Sequence, residues 1–259
     1  MNNLRKYGDS PFKAAVVHGG PGAPGEMAPV ARELSSVRGV LEPLQAAATL
    51  EGQVHELRDV LEKNGELPVI LLGFSWGAIL SFILAARHPP VVGKLILIGS
   101  GVYEEKYAGN ITGTRLSRLG EAEREKALAL MRYLDDPVAD KNTPMARLGE
   151  LIAKADAYDP LSHDSELLEC QYDIFQGVWE QASKLRSSGK LLKLGKRIRC
   201  PVVAVHGDYD PHPYEGVKEP LSRVLKDFRF ILLEKCGHRP WLERGARDRF
   251  YEILKNEII

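Results

Sequence analysis

Cysteine is scarce in this sequence. Only Cys170, Cys200 and Cys236 occur in 259 residues, at no metal-ligand spacing, so neither a zinc centre nor a disulfide framework is expected. Long apolar runs are missing too. The longest stretches, such as VVGKLILIG, fall far short of a membrane span, so no membrane partner is expected. The N-terminal MNNLRKYGDSPFK lacks the apolar core that a secretory signal needs. Net charge is absent as well, because Lys+Arg and Asp+Glu both number 35. Nothing then draws the chain to phosphate backbones, and nucleic acid is not an expected partner. Together these absences predict a cytoplasmic protein without disulfides, in which the sequon Asn110-Ile111-Thr112 is idle.

What the sequence does contain is a rhythm. KAAVVHGG (13–20) reads as a buried strand running into a glycine-rich loop, with no strand read before it. A helical stretch at 26–36 and a second strand in VLEPLQ (40–45) follow. EGQVHELRDVLEKNG (51–65) is helical and closes on Gly65. The strand LPVILLGF then leads into a helix from Ser75 to about His88, stopped by Pro89-Pro90, and VVGKLILIGS (91–100) is another strand. The same alternation returns in CPVVAVHGD (200–208), a helix near 215–226, FRFILLE (228–234) and a last helix near 240–256. Strands that are apolar on both faces and alternate with helices predict an α/β fold, a mostly parallel sheet covered on both sides. Residues 103–198 break the rhythm: they are polar, charged and helical, with no convincing strand. The expected organisation is a core of 1–102 and 199–259 interrupted by a helical cap at 103–198.

Chemistry concentrates at the ends of the strands. In GFSWG, Gly73 and Gly77 bracket Ser75 where a strand becomes a helix. That context is a nucleophile elbow, a turn so sharp that only small residues fit beside a serine pushed out at the sheet's carboxyl edge. A serine nucleophile needs a base, and the base an acid to orient it, in the chain order Ser, Asp/Glu, His. Among seven histidines, His238 in LEKCGHRPW and His212 in GDYDPHP lie in loops after late strands, and His238 follows FRFILLE at the expected edge. His206 ends a strand and is expected to pack or bond to backbone. Asp208 and Asp210 both lie in the loop that should supply the acid. Asp210, stiffened by Pro211, is preferred, whereas Asp208 suits an Asx turn. HGGPG (18–22) follows the first strand read here, where a loop should add a backbone N–H for a developing oxyanion.

With HGGPG, GFSWG, GDYDP and CGH on one chain, the sequence resembles the α/β-hydrolase superfamily, and more narrowly proline iminopeptidases and their relatives. The resemblance covers about 1–102 and 199–259. It implies Ser75 as nucleophile, His238 as base and Asp210 as its partner. It also implies an oxyanion hole from the amides of Trp76 and Gly20, with Gly19 the alternative to Gly20. No metal or organic cofactor is implied. Such peptidases typically have glycine where Phe74 stands here, carry larger caps, and begin with two strands that are not read in this chain.

The cap is acidic. Between Asp135 and Glu180 stand eleven acids and three bases. Such a run is usually a solvated helical face, although it would also attract a substrate ammonium. Tyr172, Phe175 and Trp179 within it are expected to pack the cap onto the core. The expected function is a serine hydrolase acting on a small ester, amide or short peptide. The alternatives are an aminopeptidase of proline iminopeptidase type and a catalytically silent fold that binds a ligand.

Overall fold

The computed structural model describes residues 3–136, 140–162 and 171–259. Among the described residues seven strands form one sheet: β1 (Leu4–Tyr7), β2 (Phe12–Val17), β3 (Gly39–Pro43), β4 (Val69–Phe74), β5 (Val92–Ile98), β6 (Val202–Gly207) and β7 (Phe228–Leu233). Their order across the sheet is β1-β3-β2-β4-β5-β6-β7, with β1 antiparallel to β3 and every other neighbour parallel. Strand β1 corrects the sequence reading, which began the sheet near residue 13. Its four residues, LRKY, are polar enough to hide it, and it is held by β3 on the sheet's edge.

The helices are α1 (Ala28–Leu34), α2 (Leu50–Asn64), α3 (Trp76–Arg87), α4 (Ile111–Ser117), α5 (Glu121–Leu134), α6 (Asn142–Ala155), α7 (Tyr172–Ser187), α8 (Lys190–Leu194), α9 (Glu215–Val224) and α10 (Arg247–Ile258). Alternate strand residues feed two apolar layers. Val69, Leu71, Leu95, Leu97, Val202 and Ala204 pack with α2, α3 and α9 on one face. Leu72, Phe74, Ile96, Ile98, Val203 and Val205 pack with α1 and α10 on the other. Both faces are covered, which is why these strands read as continuous apolar runs rather than alternating ones. Each buried Leu, Ile or Val adds about 1.5–3 kcal/mol. That burial fixes the sheet as the rigid platform for the loops at its carboxyl edge.

Between β5 and β6 the chain leaves the sheet for helices α4 to α8, yet β5 and β6 pair directly, Leu95 with Val202 through Ile98 with Val205. Part of this excursion has its own small core of Leu119, Ala127 and Ala155, with Leu116, Leu148 and Leu151 against it. The last helix begins later than expected. A single turn at Pro240–Leu242 precedes α10, and Glu243 between them is 1% exposed. His163, Cys170 and the acids Asp164, Glu166 and Glu169 lie outside the described residues. Among the described residues no helix is long and apolar enough to cross a membrane.

Candidate active site

Strand β4 sits between β2 and β5, and Ser75 follows it immediately as the residue that caps α3. Its backbone has φ 52° and ψ −114°, a left-handed conformation rare for any side chain but glycine. Such strain costs about 1–3 kcal/mol and must be imposed by the surroundings. The two glycines show how. A Cβ on Gly73 would lie 2.3 Å from the carbonyl oxygen of Gly77, and one on Gly77 would lie 2.4 Å from those of Val17 and His18. The turn therefore closes only without side chains at both positions. Gly77→Ala is expected to destabilise the fold by about 1–3 kcal/mol, the usual cost of overpacking. Thermal unfolding measures this, and an unchanged midpoint would mean that β2 yields freely.

Three of the expected residues meet at this edge. His238, in the loop after β7, places Nε2 3.1 Å from Ser75 Oγ and Nδ1 2.7 Å from Asp210 Oδ2. Ser75 is partly exposed, whereas Asp210 and His238 are buried. Burial alone would favour a neutral Asp210. The attraction of His238, His206 and His212, with a hydrogen bond from His212, outweighs it and holds the carboxyl well below its usual range. An ionised Asp210 accepts the Nδ1 proton of His238, which leaves Nε2 as the basic nitrogen facing the serine.

The sequence weighed two late-loop histidines, and the fold gives each one oxygen of the same carboxylate. His212 donates its backbone N–H (2.9 Å) and sets Nδ1 2.8 Å from Asp210 Oδ1. Burial lowers its pKa against the pull of Asp210, and its Nδ1 donates to that carboxylate, which can only accept. His206 Nε2 lies 2.9 Å from the His212 carbonyl and 3.5 Å from Asp210 Oδ2. Asp208, the alternative acid, instead accepts the amide of Cys236 at 3.1 Å. Asp210, His212 and His238 also present ligand atoms within 4.8 Å of one another. Separations of 2.7 and 2.8 Å from nitrogen to carboxylate are those of charge-assisted hydrogen bonds.

The HGGPG loop is organised by His18, a residue not singled out from the sequence. Its Nε2 accepts the amide of Gln45 (3.2 Å), so Nδ1 carries the proton and donates to the Gly19 carbonyl at 2.7 Å. Burial lowers the pKa of His18 and keeps it in this neutral form. In a planar trans peptide the N–H of Gly20 points opposite to that carbonyl, away from His18. Trp76 opens α3, so its amide has no intrahelical acceptor. Its indole, buried, donates to Gln53 at 2.8 Å. Phe74 has a clear part as well, with its ring centroid 4.8 Å from that of His238 and 4.7 Å from that of Trp241. It fills the space behind the histidine.

The acidic segment is less bare than its composition suggests. Arg115 binds Asp156 through two bonds of 2.8 and 2.7 Å, Arg244 lies 3.4 Å from Asp159, and Lys184 lies 2.6 Å from Glu180. All three bases come from outside the window in which the acids were counted. Phe175 and Trp179 stack at 5.9 Å along α7, and Trp179 remains 42% exposed.

A mostly parallel sheet, a strained serine at its carboxyl edge and a histidine and aspartate from later loops define an α/β-hydrolase. Residues 13–252 match the family model described as "Alpha/beta hydrolase family", and the chain belongs to that family. It is 26% identical over 219 residues to a pimeloyl-[acyl-carrier protein] methyl ester esterase of Neisseria meningitidis serogroup B, covering 79% of this chain and 72% of that protein. The crystal structure of VinJ superposes with a TM-score of 0.66 at 18% identity, covering 99% of this chain and 95% of that one. The crystal structure of a proline iminopeptidase of Mycobacterium smegmatis gives 0.63 at 16% identity, over 98% and 93%. At such identities the two structures speak for the fold alone.

Proposed function

We propose that this chain is a carboxylesterase-type serine hydrolase that cleaves a small ester through an acyl-enzyme. The observation that carries the reading is the relay from Asp210 Oδ2 through His238 to Ser75 Oγ, with links of 2.7 and 3.1 Å. Ser75 Oγ attacks the substrate carbonyl as its proton passes to His238 Nε2. The carbonyl electrons move onto oxygen, where the amides of Trp76 and Gly20, or of Gly19 in place of Gly20, stabilise the charge. Collapse of the intermediate expels the alcohol, which takes the proton from His238. Water then attacks the acyl-serine with the same base, releasing acid and free Ser75. Residues 103–198 would form a helical cap over the core, a division supported by direct β5–β6 pairing across the excursion.

The ester-hydrolysing relative favours an ester over a peptide. The ion pairs of Asp156, Asp159 and Glu180 also leave fewer carboxylates free to hold a substrate ammonium. A panel of short nitrophenyl esters, proline-naphthylamide and other aminoacyl amides, with and without N-acetylation, tests the reading. Ester turnover should dominate, and acetylation should change rates little. A buried carboxylate on an ammonium would give roughly a ten- to hundredfold preference for the free amine, from about 1.5–3 kcal/mol per charged hydrogen bond. That outcome would replace the esterase by an aminopeptidase.

A further inference from the structure

His238 does not rest on the sheet alone. Its backbone amide donates to the Asp156 carbonyl at 2.9 Å, in the segment that follows α6. Glu243 joins the same two segments. Its Oε1 accepts the amides of Gly237 and Tyr158, each at 2.9 Å, and its Oε2 that of Asp159 at 2.8 Å. Around it Leu161 donates to the Leu242 carbonyl (2.7 Å) and Arg244 to that of Asp159 (3.0 Å). Pro160 and Glu243 form an isolated antiparallel bridge. A Cβ on Gly237 would fall 2.2 Å from the Asp156 carbonyl oxygen and 2.4 Å from Glu243 Oε1, so the loop lies flush on this seat. Arg115 secures the other side by gripping the Asp156 carboxylate.

We infer that Glu243 is a positioning residue, which clamps the His238 loop to the Asp156–Asp159 segment and so fixes Nε2 relative to Ser75. The inference rests on the reading of Ser75 and His238 given above. A base that takes a proton and then returns it must keep one orientation through both steps, and misplacement by about 1 Å costs on the order of 10²-fold. Three N–H groups converge on a carboxylate, which can only accept. Glutamine at this position would turn an N–H₂ toward at least one of those donors and spread the clamp.

The test is Glu243→Gln on nitrophenyl acetate and on a bulkier ester, in the wild-type and His238→Ala backgrounds, with thermal unfolding as the check on folding. We expect kcat to fall about 10²-fold with KM little changed. The loss should be equal for both esters and should disappear in the His238→Ala background. Arg115→Gln, which loosens Asp156 and spares Glu243, should repeat the pattern more weakly, and it decides the matter should Glu243→Gln not fold. An undiminished kcat in a folded variant overturns the inference. So does a loss that persists without His238, or one confined to the bulky ester, since those belong to general stability and to pocket shape. A fully active His238→Ala enzyme is a different result: it defeats the proposed mechanism first and this inference with it.

Discussion

A fluorophosphonate should label this protein at Ser75, and Ser75→Ala should remain unlabelled while folding normally. Ser75 is partly exposed, and His238 Nε2 lies 3.1 Å from its hydroxyl to take the proton. Alanine removes one small oxygen from a turn whose close approach is permitted by Gly73 and Gly77 and does not depend on the serine hydroxyl. Stability should therefore change little, and relief of crowding at φ 52° is not expected, because alanine keeps the Cβ. Ester turnover should fall on the order of 10⁶-fold, the scale seen when a serine hydrolase loses its nucleophile. Mass spectrometry of the labelled protein and steady-state kinetics check both parts. Labelling that survives the substitution would place the reactive group elsewhere. Absence of labelling in the folded wild type would favour a silent fold that binds a ligand.

Asp210→Asn should produce the second large effect, about 10⁴-fold in kcat, as the equivalent change does in a well-studied triad. The surroundings say which way the amide turns. His212 offers two donors, its N–H and its Nδ1–H, to Oδ1 at 2.9 and 2.8 Å. The asparagine oxygen must face them, which turns its N–H₂ toward His238 Nδ1. His238 then has to accept at Nδ1 and carry its proton on Nε2, where it faces Ser75 and cannot act as a base. Asp208→Asn keeps an oxygen for the Cys236 amide and should cost far less. Paired kinetics on the two variants decide the assignment, and the opposite ranking would move the acid to Asp208.

Much of this site was legible in the linear sequence for local reasons. An elbow needs a strand, two small residues around a serine and a helix in one contiguous window, and LPVILLGFSWGAIL supplies them all. Asp210 and His238 each follow a buried strand, and parallel strands deliver their ends to a single edge. The doubly buried strands showed themselves as apolar runs because both faces of the sheet are covered. Strand β1 was not legible, since four mixed residues gain their order from pairing with β3 and not from their own pattern.

The sequence by itself determined the doubly buried strands, the elbow and the candidate residues Ser75, Asp210 and His238, because each is encoded by neighbours within a few positions. Only the tertiary structure decided the rest. It set His238 on Ser75 and His212 on the far oxygen of Asp210, gave His18 the Gly19 carbonyl, and joined Glu243 to Tyr158 across 85 positions of chain. Hydrogen-bond partners of buried polar groups are chosen by which backbones the packed core brings within about 3 Å, and no local pattern records that proximity.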